Sequence, residues 1–243
     1  MSFVETTDFK QKEILVKDIR LDLENPRFND TLIDRGLKKW TDKDLQDVIE
    51  EDGVQDILDS IKEQGVRDPI WVIQKGSKYD VIEGSRRLVV LRGLINSKQK
   101  PPRGVKYHKV DANVLPASVS KKEIDVQRVM LQTGKKPWGP FNYASAIFLL
   151  VNNDHYDEEE VATMMGKSVT FVKKELQNYK YYNELTKFQK KKKLSPDPRK
   201  YTYFQKVGPV VREKFFGTLP QREKFYQLIT PDKNGITRIT SVS

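Results

Sequence analysis

The sequence predicts an α/β domain followed by an all-α domain that contains a helix-turn-helix. Three observations carry this reading: a strand-to-helix corner within residues 79–92, a helix, turn and strand ahead of it between residues 57 and 73, and a helix–glycine–helix segment at about 157–181. A boundary near residue 120 gives an α/β domain over 1–120 and an α-helical domain over 121–243.

At the corner, Tyr79, Val81 and Glu83 alternate with Asp80 and Ile82 as a short strand does, and from Ser85 the apolar Leu88, Leu91 and Leu94 take helical spacing. Gly84 sits where strand becomes helix, and its missing Cβ lets backbone approach a ligand closely. Free N–H groups at the helix start, with Arg86 and Arg87 in its first turn, form a phosphate-shaped site. Cations are unfavourable at the positive end of a helix dipole unless an anion offsets them. The same pattern also arises from a helix whose first arginines simply reach into solvent.

Around the corner, Ile57, Leu58 and Ile61 mark an amphipathic helix, Gly65 its C-cap and residues 69–73 a strand. Ile19-Arg20-Leu21 is an extended segment that leads into a turn at 24–29. Residues 98–104 read as a loop, Val105 to Val114 as a strand and Lys121 to Gln132 as a helix. A rigid connector, 134–140, precedes a helix bearing Ala144, Ile147, Phe148 and Val151.

In the second domain Asp157 caps a helix that turns Val161, Ala162 and Met165 inward. Gly166 makes the tight turn, and Ser168 caps a second helix with Val169, Val172 and Leu176 on its buried side. This is the helix-turn-helix design, whose second helix is placed for the major groove. Its outer face carries Thr170, Lys173, Lys174 and Gln177, joined at the turn by Lys167 and Ser168. Short polar groups near the helix start suit bases or phosphates, and lysines suit phosphates. An ordinary helical hairpin with a solvated face has the same signature. Beyond it, Lys187, Lys190, Lys191, Lys192, Lys193, Arg199 and Lys200 stand against one acid, Asp197, a run that reads either as a solvated segment or as an added phosphate grip. Residues 201–229, with Phe204, Val210, Val211 and Phe225 among the apolar residues at helical spacing, read as two packed helices, their aromatics as core rather than as a base-stacking platform.

Composition narrows the classes. Hydrophobic residues make up 37% of the 243, enough for cores, yet no apolar run approaches the roughly 18 residues of a membrane span. There is no signal-peptide pattern at the N-terminus. With no cysteine, disulfides and thiolate metal sites are excluded, which fits a reducing cytosol. The two histidines, His108 and His155, are too few and too far apart for a zinc centre or a His-based triad. The net charge of +10 is uneven: residues 1–60 hold 16 Asp and Glu against 9 Lys and Arg, a balance of −7, so the remainder carries +17. A basic back end fits a polyanionic partner.

The Asn25-Pro26-Arg27 turn, the pattern S-I-x-x-x-G-x-x-x-P-I-x-V from Ser60 to Val72 and the box G-x-R-R at Gly84 to Arg87 together resemble the N-terminal domain shared by ParB partition proteins and sulfiredoxin. The helix-turn-helix, with V-A-x-x-x-G-K-S-x-x-x-V from Val161 to Val172, is similar to that of ParB. The absence of cysteine excludes sulfiredoxin chemistry. The resemblance implies an α/β ParB/sulfiredoxin-like domain ahead of an all-α helix-turn-helix domain. It implies a nucleotide or phosphate site at Gly65, Asp68, Gly84, Ser85, Arg86, Arg87, Gln132 and Lys135, taking a nucleoside triphosphate such as CTP or ATP. Three departures count against magnesium-dependent CTP hydrolysis: Ser85 where ParB has glutamate, Asp68 where it often has glutamine, and Leu131 at the metal-holding glutamate of E-N-x-x-R. No metal ligand is assigned.

The function implied is sequence-selective binding of double-stranded DNA in plasmid, phage or chromosome partition or in regulation, with the pocket as a switch. A second copy of the chain and a partition ATPase are the further candidate partners. The expected location is the cytoplasm, on nucleoid or plasmid, with no membrane contact. The alternative is an enzyme of this fold, a metal-dependent nuclease, a nucleoside triphosphatase or a kinase, which requires a carboxylate at the box such as Glu83 or Asp68.

Overall fold

The structure is a computed structural model that describes residues 9–131 and 138–230. Strands β1 (Lys10–Leu15), β2 (Ile19–Leu21), β3 (Ile70–Lys75), β4 (Lys78–Glu83) and β5 (Lys109–Leu115) form one sheet. The helices are α1 (Asn29–Asp34), α2 (Asp42–Glu51), α3 (Gln55–Gln64), α4 (Ser85–Asn96), α5 (Lys121–Met130), α6 (Pro140–Phe148), α7 (Glu158–Met165), α8 (Val169–Lys191), α9 (Tyr201–Lys206), α10 (Pro209–Phe215) and α11 (Leu219–Ile229). They fall into two compact units. One takes the described residues up to Asn25 and those from Lys39 to Leu131; the other takes Pro26–Lys38 and the described residues from Trp138 onward. This differs from a single cut at residue 120, because α5 packs with the sheet and the short segment around α1 packs with α6.

In the first unit the strand order is β1-β5-β3-β4-β2. β1 runs antiparallel to β5 and β3 antiparallel to β4, while β3–β5 and β2–β4 are parallel. The β3–β4 hairpin turns through Gly76 at φ +64°. α2 and α3 pack on α4, whose Leu88, Val89, Val90, Leu91 and Leu94 are all buried. α5 is started by Ser120, which accepts the Glu123 N–H while Glu123 returns a bond to the Ser120 N–H. It lays Ile124 against Ile73, Ile82 and Leu115, with Trp71, Val119 and Leu131 around them. β5 begins at Lys109, four residues later than the spacing predicts, because Tyr107 is buried and its hydroxyl donates to the Lys62 carbonyl at 2.9 Å, tying that stretch to α3 instead.

A buried ion network fastens α5 to the loop after β2. Arg128 donates from Nε and Nη2 to the two carboxylate oxygens of Asp22, each at 2.6 Å, and from Nη1 to Asp125. The three side chains are at most 6% exposed. Burial pushes the Asp22 carboxyl up, against the pull of Arg128.

In the second unit α8 is the longest helix described, at 23 residues, and α6, α7, α9 and α11 all pack on it. The core is aromatic: Phe141, Tyr182, Tyr201, Phe204, Phe225 and Tyr226 are buried with Leu185 and Ile229. Phe204 lies in edge contact with Phe216 and Tyr226, the ring geometry that the aromatic quadrupole favours. Asn142 of α6 accepts the Asp30 N–H at 2.9 Å and donates to the Arg27 carbonyl at 2.6 Å, which seats α1 on α6. α6 ends at Phe148 and widens into a π turn over Leu149–Asn153, so Val151 lies beyond the α-helix proper. Residues 201–229 form three helices rather than the two expected. Gly208-Pro209 starts α10 anew, and a Thr218–Gln221 capping box with Pro220 starts α11. Val210, one of the apolar residues at that spacing, is 78% exposed in the first turn of α10.

Removing Arg128 strands two buried carboxylates, so Arg128→Met is expected to lower stability by about 3–5 kcal/mol, read as a drop in the urea midpoint. Full wild-type stability in that variant would mean that the network is dispensable.

Candidate anion and nucleic-acid binding sites

The corner forms as the residue pattern dictates. β4 ends at Glu83, Gly84 takes φ +103°, and α4 begins at Ser85. The reason for glycine is more specific than ligand access. A Cβ at Gly84 would lie 2.5 Å from Ile70 Cγ2 and 2.9 Å from Ile70 Cβ, so β3 itself fills the space a side chain would need. No side chain caps the start of α4, and its first turn holds no acid.

The two arginines do not reach free into solvent. Arg86 donates from Nη2 to the Gly53 carbonyl at 2.9 Å and pairs with Asp56, while its Nε is shielded from solvent with no acceptor. The guanidinium beside Asp56 holds that carboxyl below the usual carboxylate range. Arg87 pairs with Glu83, which is 7% exposed, and donates to the backbone carbonyls of Asp68 and, at 3.4 Å, Pro69. The anions that offset these cations at the helix start are therefore the protein's own carboxylates. Any external phosphate must compete with Asp56 and Glu83.

Asp68 thus meets the box through its backbone, and its side chain is exposed. Gly65 ends α3 at φ +72° and packs toward Val105. Gln132 and Lys135 lie outside the described residues. Leu131 packs in the apolar cluster with Ile82 and Ile124. Asp56, 30 residues ahead of Arg86, has no signal in the sequence that links it to the box.

The first unit also contains a cavity of about 440 Å³, lined by Arg20, Asp22, Glu24, Asp80, Ile82 and Arg128 among others, and by none of Gly84 to Arg87. Its cations are largely neutralised: Arg20 pairs with Asp80 at 2.7 Å and Arg128 with Asp22 at 2.6 Å. That leaves little net attraction for an anion.

The helix-turn-helix is built in the second unit. Asp157 accepts the Glu160 N–H at 2.7 Å and Glu160 returns to the Asp157 N–H, starting α7. Gly166 at φ +60° ends it, and Ser168 accepts the Phe171 N–H at 3.1 Å to start α8. Val161, Ala162 and Met165 of α7 and Val172 and Leu176 of α8 are buried. All six residues assigned to the outer face, Lys167, Ser168, Thr170, Lys173, Lys174 and Gln177, are exposed. Lys167 lies over the Phe171 ring at 5.9 Å, and Lys173 stands 3.9 Å from Glu158. On the inner side, Glu175 is 3% exposed and accepts from the Tyr201 hydroxyl at 2.6 Å and from Gln205 at 2.9 Å. Burial, and then Glu175, push the Tyr201 phenol up. Asn178, fully buried, accepts from Arg212 at 3.0 Å. Both buried polar residues escape a reading of the sequence, since their partners lie 26 and 34 positions away.

A glycine corner that carries two arginines into the first turn of a helix, on a mixed sheet, defines an α/β domain of the G-x-R-R box class. Residues 35–106 match the family model of the ParB N-terminal domain. No curated protein matches the chain. Among solved structures, the chain is similar to the C-terminally truncated chromosome-partitioning protein ParB from Caulobacter crescentus in two complexes. The complex with the centromeric parS site shares 11% identity over 88% of this chain and 98% of that one, with a TM-score of 0.43. The complex with CTP-gamma-S shares 15% identity over 84% and 97%, with a TM-score of 0.32.

The corner yields a comparison of glycines. Gly76→Ala meets nothing within 4 Å and bears only its positive φ, a cost of about 1–2 kcal/mol. Gly84→Ala adds the collision with Ile70, about 1–3 kcal/mol more. Denaturant midpoints are expected to fall in that order, and equal midpoints would show that Ile70 yields freely.

Proposed function

We propose that the protein is a ParB-like DNA-binding protein acting in partition of a plasmid, phage or chromosome, or in regulation, with the G-x-R-R corner as an anion or nucleotide pocket that serves as a switch. The observation that carries this reading is the helix-turn-helix with six exposed polar residues, in a chain whose residues 35–106 match the ParB N-terminal domain model. The pocket is supported by the uncapped start of α4 and by the shielded Arg86 Nε that lacks an acceptor. Its ligand is a nucleoside triphosphate, CTP or ATP, held by Gly84, Ser85, Arg86 and Arg87, with Gly65, Asp68, Gln132 and Lys135 as the further residues assigned to it. Leu131 offers no metal ligand, so binding precedes hydrolysis as the role of the site. A second copy of the chain and a partition ATPase complete the partners proposed. Catalysis is the weaker reading, because of the two carboxylates named for an enzyme of this fold, Glu83 is ion-paired to Arg87 and Asp68 meets the box through its backbone carbonyl, with its side chain exposed.

Two measurements test this. In fluorescence anisotropy with labelled duplexes, Lys173→Ala with Lys174→Ala is expected to weaken binding to every sequence and to lower the log–log salt slope by about 0.9 for each phosphate left without its lysine. Thr170→Ala or Gln177→Ala is expected to change the preferred sequence instead. Unchanged binding by the folded double-lysine variant overturns the DNA assignment. In calorimetry with the four nucleoside triphosphates, Arg86→Ala is expected to lower affinity about tenfold or more, and Asp56→Asn to raise it by freeing the guanidinium. A wild-type protein that binds none of the four, with or without DNA, reduces the box to scaffold.

A further inference from the structure

α8 continues well past the reading segment, and its outer face is nearly all lysine. Lys173, Lys180, Lys187 and Lys191 follow one another at steps of seven, seven and four residues, with Lys190 beside the last. Seven residues of α-helix drift by only about 20°, so these side chains stand in one row. All five are exposed. The row runs about 27 Å at 1.5 Å per residue.

A solvated helix face ordinarily interleaves acids with its lysines, because opposite charges three or four residues apart support the helix. Here the two acids of α8 are both withdrawn. Glu175 is buried against Tyr201 and Gln205. Glu184, which falls on the lysine side, is clamped by Arg222 through two bonds at 2.7 and 3.1 Å and by the Tyr226 hydroxyl at 3.0 Å. Among the described residues, no ion pair joins Lys180, Lys187, Lys190 or Lys191 to a carboxylate, whereas Lys173 has Glu158. α11 thus supplies an arginine that cancels the acid interrupting the row.

We propose that this row is a second, sequence-independent DNA contact, in which Lys180, Lys187, Lys190 and Lys191 grip phosphates flanking the site read by the start of α8. The inference rests on the DNA-binding reading above and extends it. Its physical basis is length: the major groove is about 12 Å wide, so a helix that enters it with Thr170 to Gln177 carries a row of this length beyond the groove, where the nearest groups are backbone phosphates. Lysine is the residue for that task, a point charge on a flexible stem that needs no fixed geometry. The occupant is double-stranded DNA flanking the recognition site on the side toward which the C-terminal end of α8 runs.

The test is salt-dependent anisotropy with a labelled duplex of unrelated sequence and one of preferred sequence, on the full chain. Three forms are compared: wild type, a proximal variant (Lys173→Ala, Lys174→Ala) and a distal variant (Lys187→Ala, Lys190→Ala, Lys191→Ala). The distal variant is expected to lose about tenfold or more in affinity for both duplexes and one to about three units of salt slope, with the ratio between the duplexes unchanged. Replacing the same three lysines by arginine is expected to keep the slope. A distal variant that binds like wild type while the proximal one fails overturns the row and leaves the reading helix standing. The converse outcome overturns the reading helix and keeps the row. A wild-type protein that binds neither duplex overturns both.

Discussion

The first unit depends on a lack of space. Where β4 gives way to α4, Gly84 is pressed against Ile70 of the neighbouring strand so closely that no side chain fits, and its left-handed backbone turns the chain at once into a helix. That contact fixes the direction in which α4 leaves the sheet. Leu88 and Leu91 bury one turn and two turns later because of it, and α2 and α3 find their shared support there. The same corner decides where Arg86 and Arg87 emerge. A glycine kept by its neighbour's bulk and two arginines kept for their charge thus form one motif, though different forces hold each part.

Charge compensation is the second theme. In the first unit, Arg86, Arg87 and Arg128 each have a carboxylate within reach: Asp56 for Arg86, Glu83 for Arg87, Asp22 and Asp125 for Arg128. An ion pair of this kind costs most when half of it is removed, because the remaining charge has no water to return to. The second unit has such a pair, Arg222 with Glu184, and also a buried carboxylate held otherwise. Glu175 has no cation beside it and is held by a phenol and an amide, hydrogen bonds that stabilise a buried carboxylate without cancelling its charge.

Much of this was legible in the sequence, and the exceptions follow a pattern. The strand-to-helix switch at Gly84, the caps at Asp157 and Ser168 and the inward set Val161, Ala162, Met165, Val172 and Leu176 are local signals, written within one or two turns of chain. The outer face of α8 followed from the same periodicity. The split of residues 201–229 into three helices was also written locally, in Gly208-Pro209 and Pro220, but the aromatic spacing hid it. What was not legible needed a partner far along the chain. Asp56 for Arg86, Ile70 for Gly84, and Tyr201 for Glu175 are contacts that only the fold brings together. The start of β5 was misplaced for that reason too, since the Tyr107 hydroxyl that draws the chain aside reaches back to Lys62.

The assignment of Pro26–Lys38 to the second unit has its own consequence. These residues are flanked on both sides by sequence of the first unit, yet Asn29, Asp30 and the Arg27 carbonyl bond to Ser145 and Asn142 of α6. The linear order of the gene and the order of the cores are therefore interleaved. A fragment beginning after the first unit would lack the piece that satisfies the buried amide of Asn142, and one ending before the second would carry that piece with nothing to dock on. Neither unit is a module that recombination could lift out with a single pair of cuts. Insertions and exchanges are better tolerated at the β3–β4 turn, where Gly76 faces open space, than at the sequence midpoint that a two-domain chain invites one to cut.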